Sequence, residues 1–248
     1  RSSFSGWQLL PNLRVAWQPN DRNLVWAAVS RAVRTPSRID RQLEAPPFLG
    51  RADDFLSEKL IAAELGYRGQ PSRTLSLSVN GFVNFYDDLR TTELTDGSLP
   101  FRLGNGYEGK TYGIEAWGGA QLMPWWRVQL GLSTLWKDIH EKIGHVHLAP
   151  RNSLGNDPEW QVVGRTDIDI SPDLRLSLNG RAVGRIEQDP EIESYVEAGG
   201  QLSYRLTEEH ELFVAARNLL HDRHAESNDP GAGQLAKRSI YAGTRARF

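Results

Sequence analysis

Cysteine is absent from the 248 residues, which excludes a disulfide scaffold, a zinc–thiolate site and a cysteine nucleophile. Long apolar runs are missing as well. The longest uninterrupted one covers residues 24–29, far below the ~18 residues that a membrane helix needs. There is no surplus of one charge: Lys+Arg is 29 against Asp+Glu 31, so no basic excess is available for nucleic-acid phosphates. No G-x-S-x-G elbow, phosphate-cradling loop or paired-carboxylate motif stands out, and nothing selects an enzyme. The chain opens on Arg1 and its one methionine is Met123, as expected of a segment cut from a longer precursor; a missing leader then says nothing about compartment. These absences leave room for a β-barrel membrane protein, whose apolar residues come at every second position.

A period of two is the dominant pattern. Leu75, Leu77, Val79, Gly81, Val83 and Phe85 alternate with Ser76, Ser78, Asn80, Phe82, Asn84 and Tyr86. Leu174, Leu176, Leu178, Gly180 and Ala182 alternate with Arg175, Ser177, Asn179, Arg181 and Val183. Helical spacings of three and four are absent. These runs exceed the ~5–6 residues of an ordinary soluble strand and match the ~9–11 that a tilted strand needs to cross a bilayer. About eleven strands are predicted, over 9–18, 23–34, 57–68, 74–90, 100–122, 126–137, 159–170, 174–187, 194–206, 210–220 and 236–248.

The connections alternate in length. Residues 18–23, 68–73, 123–125, 171–173 and 207–209 read as tight turns rich in Pro, Asn, Asp, Gly and Ser. Long loops over 35–56, 138–158 and 221–235 lie between them, with shorter links near 96–98 and 188–193. Such asymmetry is that of an outer-membrane barrel with its turns in the periplasm. Trp17, Tyr67, Trp125, Trp126, Tyr204 and Phe248 fall beside the turns or chain end, and Phe85, Trp136 and Trp160 near the other end, as two aromatic girdles would. Aromatics also cap soluble sandwiches.

Magnitude decides which face meets lipid. Pointing Arg175, Arg181 and Arg185 into hydrocarbon would cost roughly 2–4 kcal/mol each at mid-depth. The leucine face is therefore outside, and the polar face lines a wet interior. Turn geometry then predicts facing charge pairs on the inner side: Asp169 with Arg175, Arg205 with Glu211 and Arg185 with Glu197, each worth roughly 0.2–1 kcal/mol.

Five segments resemble one family in order. They are LVWAAVSRAVRTPS at 24–37, EKLIAAELGYR at 58–68, TYGIE at 111–115, NLLHDRHAE at 218–226 and YAGTRARF at 241–248. Together they resemble TonB-dependent outer-membrane receptors, with His224 standing where an aromatic is usual. The resemblance implies an all-β fold: an antiparallel transmembrane β-barrel segment of eleven strands from a larger barrel of about 22, plugged in the family. It implies that residues 1–248 are the C-terminal half, without the plug and the TonB-contacting part. It also implies an outer-membrane location in Gram-negative cells, partnership with lipid, TonB and the barrel-assembly machinery, and uptake of a scarce nutrient such as a ferric siderophore. Tyr241 and Phe248 match the family's terminal insertion signal.

No cofactor is expected. Arg34, Arg38, Tyr86, Arg90, Tyr107, Trp160 and Tyr195 are placed near the outer mouth, where guanidinium and aromatic groups suit an anionic, aromatic ligand. His140, Glu141, His145 and His147, and the group His221, Asp222 and His224, read as solvated loops rather than metal sites, since no zinc signature is matched. A passive outer-membrane channel and a soluble all-β carbohydrate-binding module remain the alternatives.

Overall fold

Alternation of apolar and polar side chains along most of the long strands builds this molecule. The computed structural model describes residues 2–95, 98–144, 157–187, 191–226 and 235–246. The strands are β1 (Asn12–Asn20), β2 (Asn23–Arg34), β3 (Glu58–Ser72), β4 (Leu75–Thr95), β5 (Ser98–Met123), β6 (Trp126–Thr134), β7 (Trp136–Glu141), β8 (Trp160–Asp169), β9 (Leu174–Val183), β10 (Tyr195–Arg205), β11 (His210–Arg217), β12 (Arg223–His224), β13 (Ala236–Lys237) and β14 (Ser239–Ala246). One short helix, α1 (Arg38–Gln42), lies in the first long loop. The sheet runs β1-β2-β3-β4-β5-β6-β8-β9-β10-β11-β14, every neighbour antiparallel. β7 continues β6 beyond Leu135 and pairs with β5, while β12 and β13 form a separate small hairpin. The eleven long strands are those expected from the sequence.

Registers carry the apolar residues of adjacent strands to one face. Ile61 opposes Phe85, Ala63 opposes Val83, Thr166 opposes Leu178, and Leu202 opposes Leu176 and Val214. Among the described residues nothing covers that face: Leu65 is 62% exposed, Leu130 58% and Ile240 67%. The total accessible surface of 16464 Å² is roughly one and a half times that of a compact monomer of this length. A soluble sandwich would have buried these rows under a second layer; here only Ala52, Phe55 and Leu103 form a buried apolar cluster among the described residues. Aromatics bound the bare face at two levels. Trp126 and Tyr204 stand at the turn end, and Phe85, Trp160 and the stacked pair Tyr112–Trp136 at the other. Trp126 pairs with Ile168, eight positions along β8 from Trp160. At ~3.3 Å per residue and ~40° of tilt this is a band about 20 Å tall, close to the ~25 Å apolar belt of outer-membrane barrels.

The opposite face is polar, and many of its charges find partners. Asp169 faces Arg175, with Nε to Oδ1 at 2.6 Å, as predicted. Arg205 faces Glu211, but Glu211 forms its ion pair with Arg245 of β14 at 2.9 Å, because the glutamate sits between two arginines in one row. The Arg185–Glu197 pair is not formed. Val183 opposes Tyr195, so Ile186 bridges to Ile192 rather than Val196, a slip of four positions. Glu197 instead meets Arg181 at 2.9 Å, and Arg185 meets Glu187 at 3.0 Å and Glu191 at 3.2 Å. An even slip preserves which face each side chain occupies, so opposite charges still meet.

Short polar side chains close the tight turns. Asn20 Oδ1 accepts the Arg22 amide, Ser171 Oγ those of Asp173 and Leu174, and Thr207 Oγ1 those of Glu209 and His210. β4 and β5 are longer than expected. Their pairing runs on to Leu94 and Phe101, about 30 Å along the strand beyond Phe85. β9 and β11 stop early, at Val183 and Arg217. On β14, Ile240, Ala242, Thr244 and Ala246 share the apolar row, whereas Tyr241 lies on the polar face beneath Arg217. Phe248 lies outside the described residues.

Adjacent faces of one strand predict opposite tolerances. Leu130→Arg puts a guanidinium at the centre of the apolar band and costs about 2–4 kcal/mol. Ser133→Arg, beside Glu115 on the polar face, is near neutral. The folded fraction of each variant in lipid vesicles, read by heat-modifiable gel mobility, checks both.

Candidate functional site

The tall β4–β5 hairpin forms one wall of the mouth on the long-loop side, and two bulges shape it. Pairing shifts between Tyr86 and Leu89 and again between Leu89 and Thr91. The second shift lies opposite Gly104, Asn105 and Gly106. At the first, Asp88 adopts φ 59°, a conformation that Asp tolerates better than most residues, and Gly109 takes φ 149° with Asp138 against its Cα. The bulge turns Asp87 and Asp88 toward two lysines. Lys59 Nζ lies 3.1 and 2.6 Å from them, and Lys142 Nζ 2.6 and 2.5 Å. Burial alone would lower the Lys142 ammonium, but its bonds to Asp87 and Asp88 raise it overall.

The first long loop is pinned to this wall. Buried Asn105 accepts the Leu56 amide at 2.7 Å, while its Nδ2 donates to the Leu56 carbonyl at 3.3 Å and the Asp88 carbonyl at 2.6 Å. Gly50 donates to the Phe101 carbonyl, and Phe101 to that of Phe48. Phe55, 1% exposed, packs with Ala52 and Leu103, and its carbonyl accepts from Arg41. α1 starts with a capping box in which Ser37 Oγ accepts the Asp40 amide and Asp40 Oδ2 accepts the Ser37 amide. Arg34 then joins Asp40 at 3.1 Å and Glu58, and Arg90 lies 3.5 Å from Asp40. Burial favours protonating the Asp40 carboxyl, yet the Ser37 amide and hydroxyl and Arg34 outweigh it and hold it below the ordinary value.

The seven expected mouth residues therefore divide. Arg34 and Arg90 converge on Asp40 and are engaged within the protein. Arg38 opens α1 and is exposed, Tyr107 is buried, and Tyr86 stands half-buried on the polar face. Trp160 stands in the apolar row beside Gly184, away from the lumen. Tyr195 lies across the sheet on the polar face, under Arg181 and against His224. Asp40, Asn105 and Asp88 were not among the site residues expected from sequence, although Ser37-x-x-Asp40 carries a helix-start signal. His140 lies 3.6 Å from Glu108; His145 and His147 lie outside the described residues. Near the turns, the polar face holds a basin of about 640 Å³ lined by Arg165, Arg175, Gln201, Ser203 and Arg245 among others.

An eleven-strand sheet with a bare apolar face, a charged inner face and an elaborated mouth is a section of transmembrane β-barrel. The family profile described as TonB dependent receptor-like, beta-barrel matches residues 1–219. The chain belongs to that family. Comparison with curated proteins gave no match. Similar solved structures include the siderophore receptor PirA from Acinetobacter baumannii (17% identity, 99% of this chain and 42% of that one, TM-score 0.74). Others are the FrpB iron transporter from Neisseria meningitidis (14%, 97% and 39%, 0.78) and the copper transporter OprC (15%, 95% and 39%, 0.69). The chain thus spans about two fifths of the length of these receptors.

Two substitutions test how the mouth is held. Asn105→Ala removes three hydrogen bonds and leaves the buried Asp88 carbonyl and the Leu56 amide and carbonyl without them, a loss of about 1–3 kcal/mol. It should speed proteolysis within 43–56 while the strands stay intact. Asp40→Asn should loosen the same segment at neutral pH. Since the Asp40 carboxyl titrates below its ordinary 3.8, its contribution is complete above that value and is lost only as pH falls below it. Proteolysis rates at pH 7 and pH 5 should therefore match in the parent.

Proposed function

We propose that this chain is the C-terminal half of a barrel of about 22 strands in an outer-membrane receptor that takes up a ferric siderophore at the expense of TonB-transmitted energy. The plug and the TonB-contacting segment belong to the rest of the protein on this reading. The observation that carries it is the division of one sheet into a bare apolar face and a charged lumen face, with long elaborated loops gathered at a single mouth. A large, scarce, anionic ligand suits a mouth where Arg38 is exposed and Tyr86 and Tyr195 face inward. Family membership and the solved siderophore and iron receptors of the same fold support the transport class.

The test uses the full-length receptor in a Gram-negative strain deprived of its own ferric-siderophore receptors. Uptake of radioiron from a panel of ferric siderophores should appear with the gene and vanish when tonB is deleted. Uptake that persists without TonB would replace this reading with the passive channel.

A further inference from the structure

We propose that Glu197, His224 and Glu226 form a binding site for a divalent transition-metal ion of the zinc type on the lumen face near the mouth. The three come from β10 and from the last loop, whose β12 strand carries His224. One ligand atom from each can be chosen so that all lie within 4.8 Å of one another, and a small closure brings them to the spacing of a shared ion. The donor set of one imidazole and two carboxylates is that of borderline, not soft, metals.

Three features point to a cation here. Glu197 and Glu226 share one guanidinium, with Arg181 Nη2 at 2.9 Å from Glu197 Oε2 and 2.6 Å from Glu226 Oε1. Two carboxylates thus share a single guanidinium. The His224 side chain is only 9% exposed, its Nε2 lies 3.1 Å from Glu226 Oε1, and its Nδ1 is buried with no partner among the described residues. With Nε2–H on Glu226, the imidazole keeps its lone pair on Nδ1, where no described group uses it. Its orientation is held from both sides, by the Tyr195 ring at 4.5 Å and the His221 ring at 5.7 Å, and His221 is itself fixed through Nε2 to the Val196 carbonyl at 2.9 Å. Preset ligands lower the cost of gathering an ion. Glu226 is exposed enough to leave an entry path from the lumen.

Arg181 acts as the competitor. Its guanidinium lies over Tyr195, 5.5 Å from the ring centroid, and keeps that seat when it gives up the carboxylates. A ligand set and a plain ion-pair network therefore differ in the sign of one substitution. The metal site predicts that Arg181→Gln tightens binding, because a positive charge beside the ion is removed.

The experiment titrates zinc chloride into the full-length receptor in detergent, stripped with chelator, and follows heat by calorimetry and cobalt(II) visible absorption in parallel. One site should saturate per receptor beyond any present in a triple variant Glu197→Gln, His224→Gln, Glu226→Gln. Each single variant should weaken it at least tenfold, and Arg181→Gln should strengthen it several-fold, with gel mobility confirming a folded barrel. His140→Gln, in another loop, should change nothing. Absence of saturable binding in the parent, binding unchanged in His224→Gln, or weakening in folded Arg181→Gln would overturn the proposal. None of these readouts depends on uptake, so failure here leaves the transport reading standing.

Discussion

The contrast between two solvents on opposite faces of one sheet governs this structure. Hydrocarbon on one side tolerates no unpaired backbone group, so strands must pair edge to edge along their whole length. Water on the other side tolerates charge, so Asp169–Arg175, Arg181–Glu197 and Glu211–Arg245 pair there without a deep core. Stability of this kind is spread along ladders. It explains why the described residues include so few buried apolar ones although most of them lie in strands.

Much of that was legible in the sequence, because a period of two needs no knowledge of long-range contacts. The rows Leu75–Leu77–Val79 and Leu174–Leu176–Leu178 declare their face within a single strand, and tight turns set the register of the hairpins they close. Asp169 with Arg175 followed from such a turn. The Arg185–Glu197 expectation came from a longer connection, where no turn chemistry counts the residues, and it slipped by four. β4 and β5 outran their expected ends because pairing beyond the lipid belt no longer requires strict alternation.

The mouth was less legible. Arg34 and Arg90 were expected to face a ligand, since a guanidinium in a loop shows charge but not its partner. Their partner Asp40 sits on a helix whose position depends on Phe55, Ala52 and Leu103 meeting across distant segments. Asn105 bonds Leu56 across forty-nine positions of chain. His224 was noticed as a departure from an aromatic position and, with His221 and Asp222, read as a solvated loop; the sequence did not show that β10 brings Glu197 beside it.

The tight turns lie at one end of the sheet and the variable connections at the other. Each hairpin is indexed from its closed end, so residues added or lost at the open end change the mouth without shifting any side chain between oil and water. The lumen lining and the mouth can thus diverge at different rates within one polypeptide. The open end can be rebuilt while the fit to the membrane stays the same.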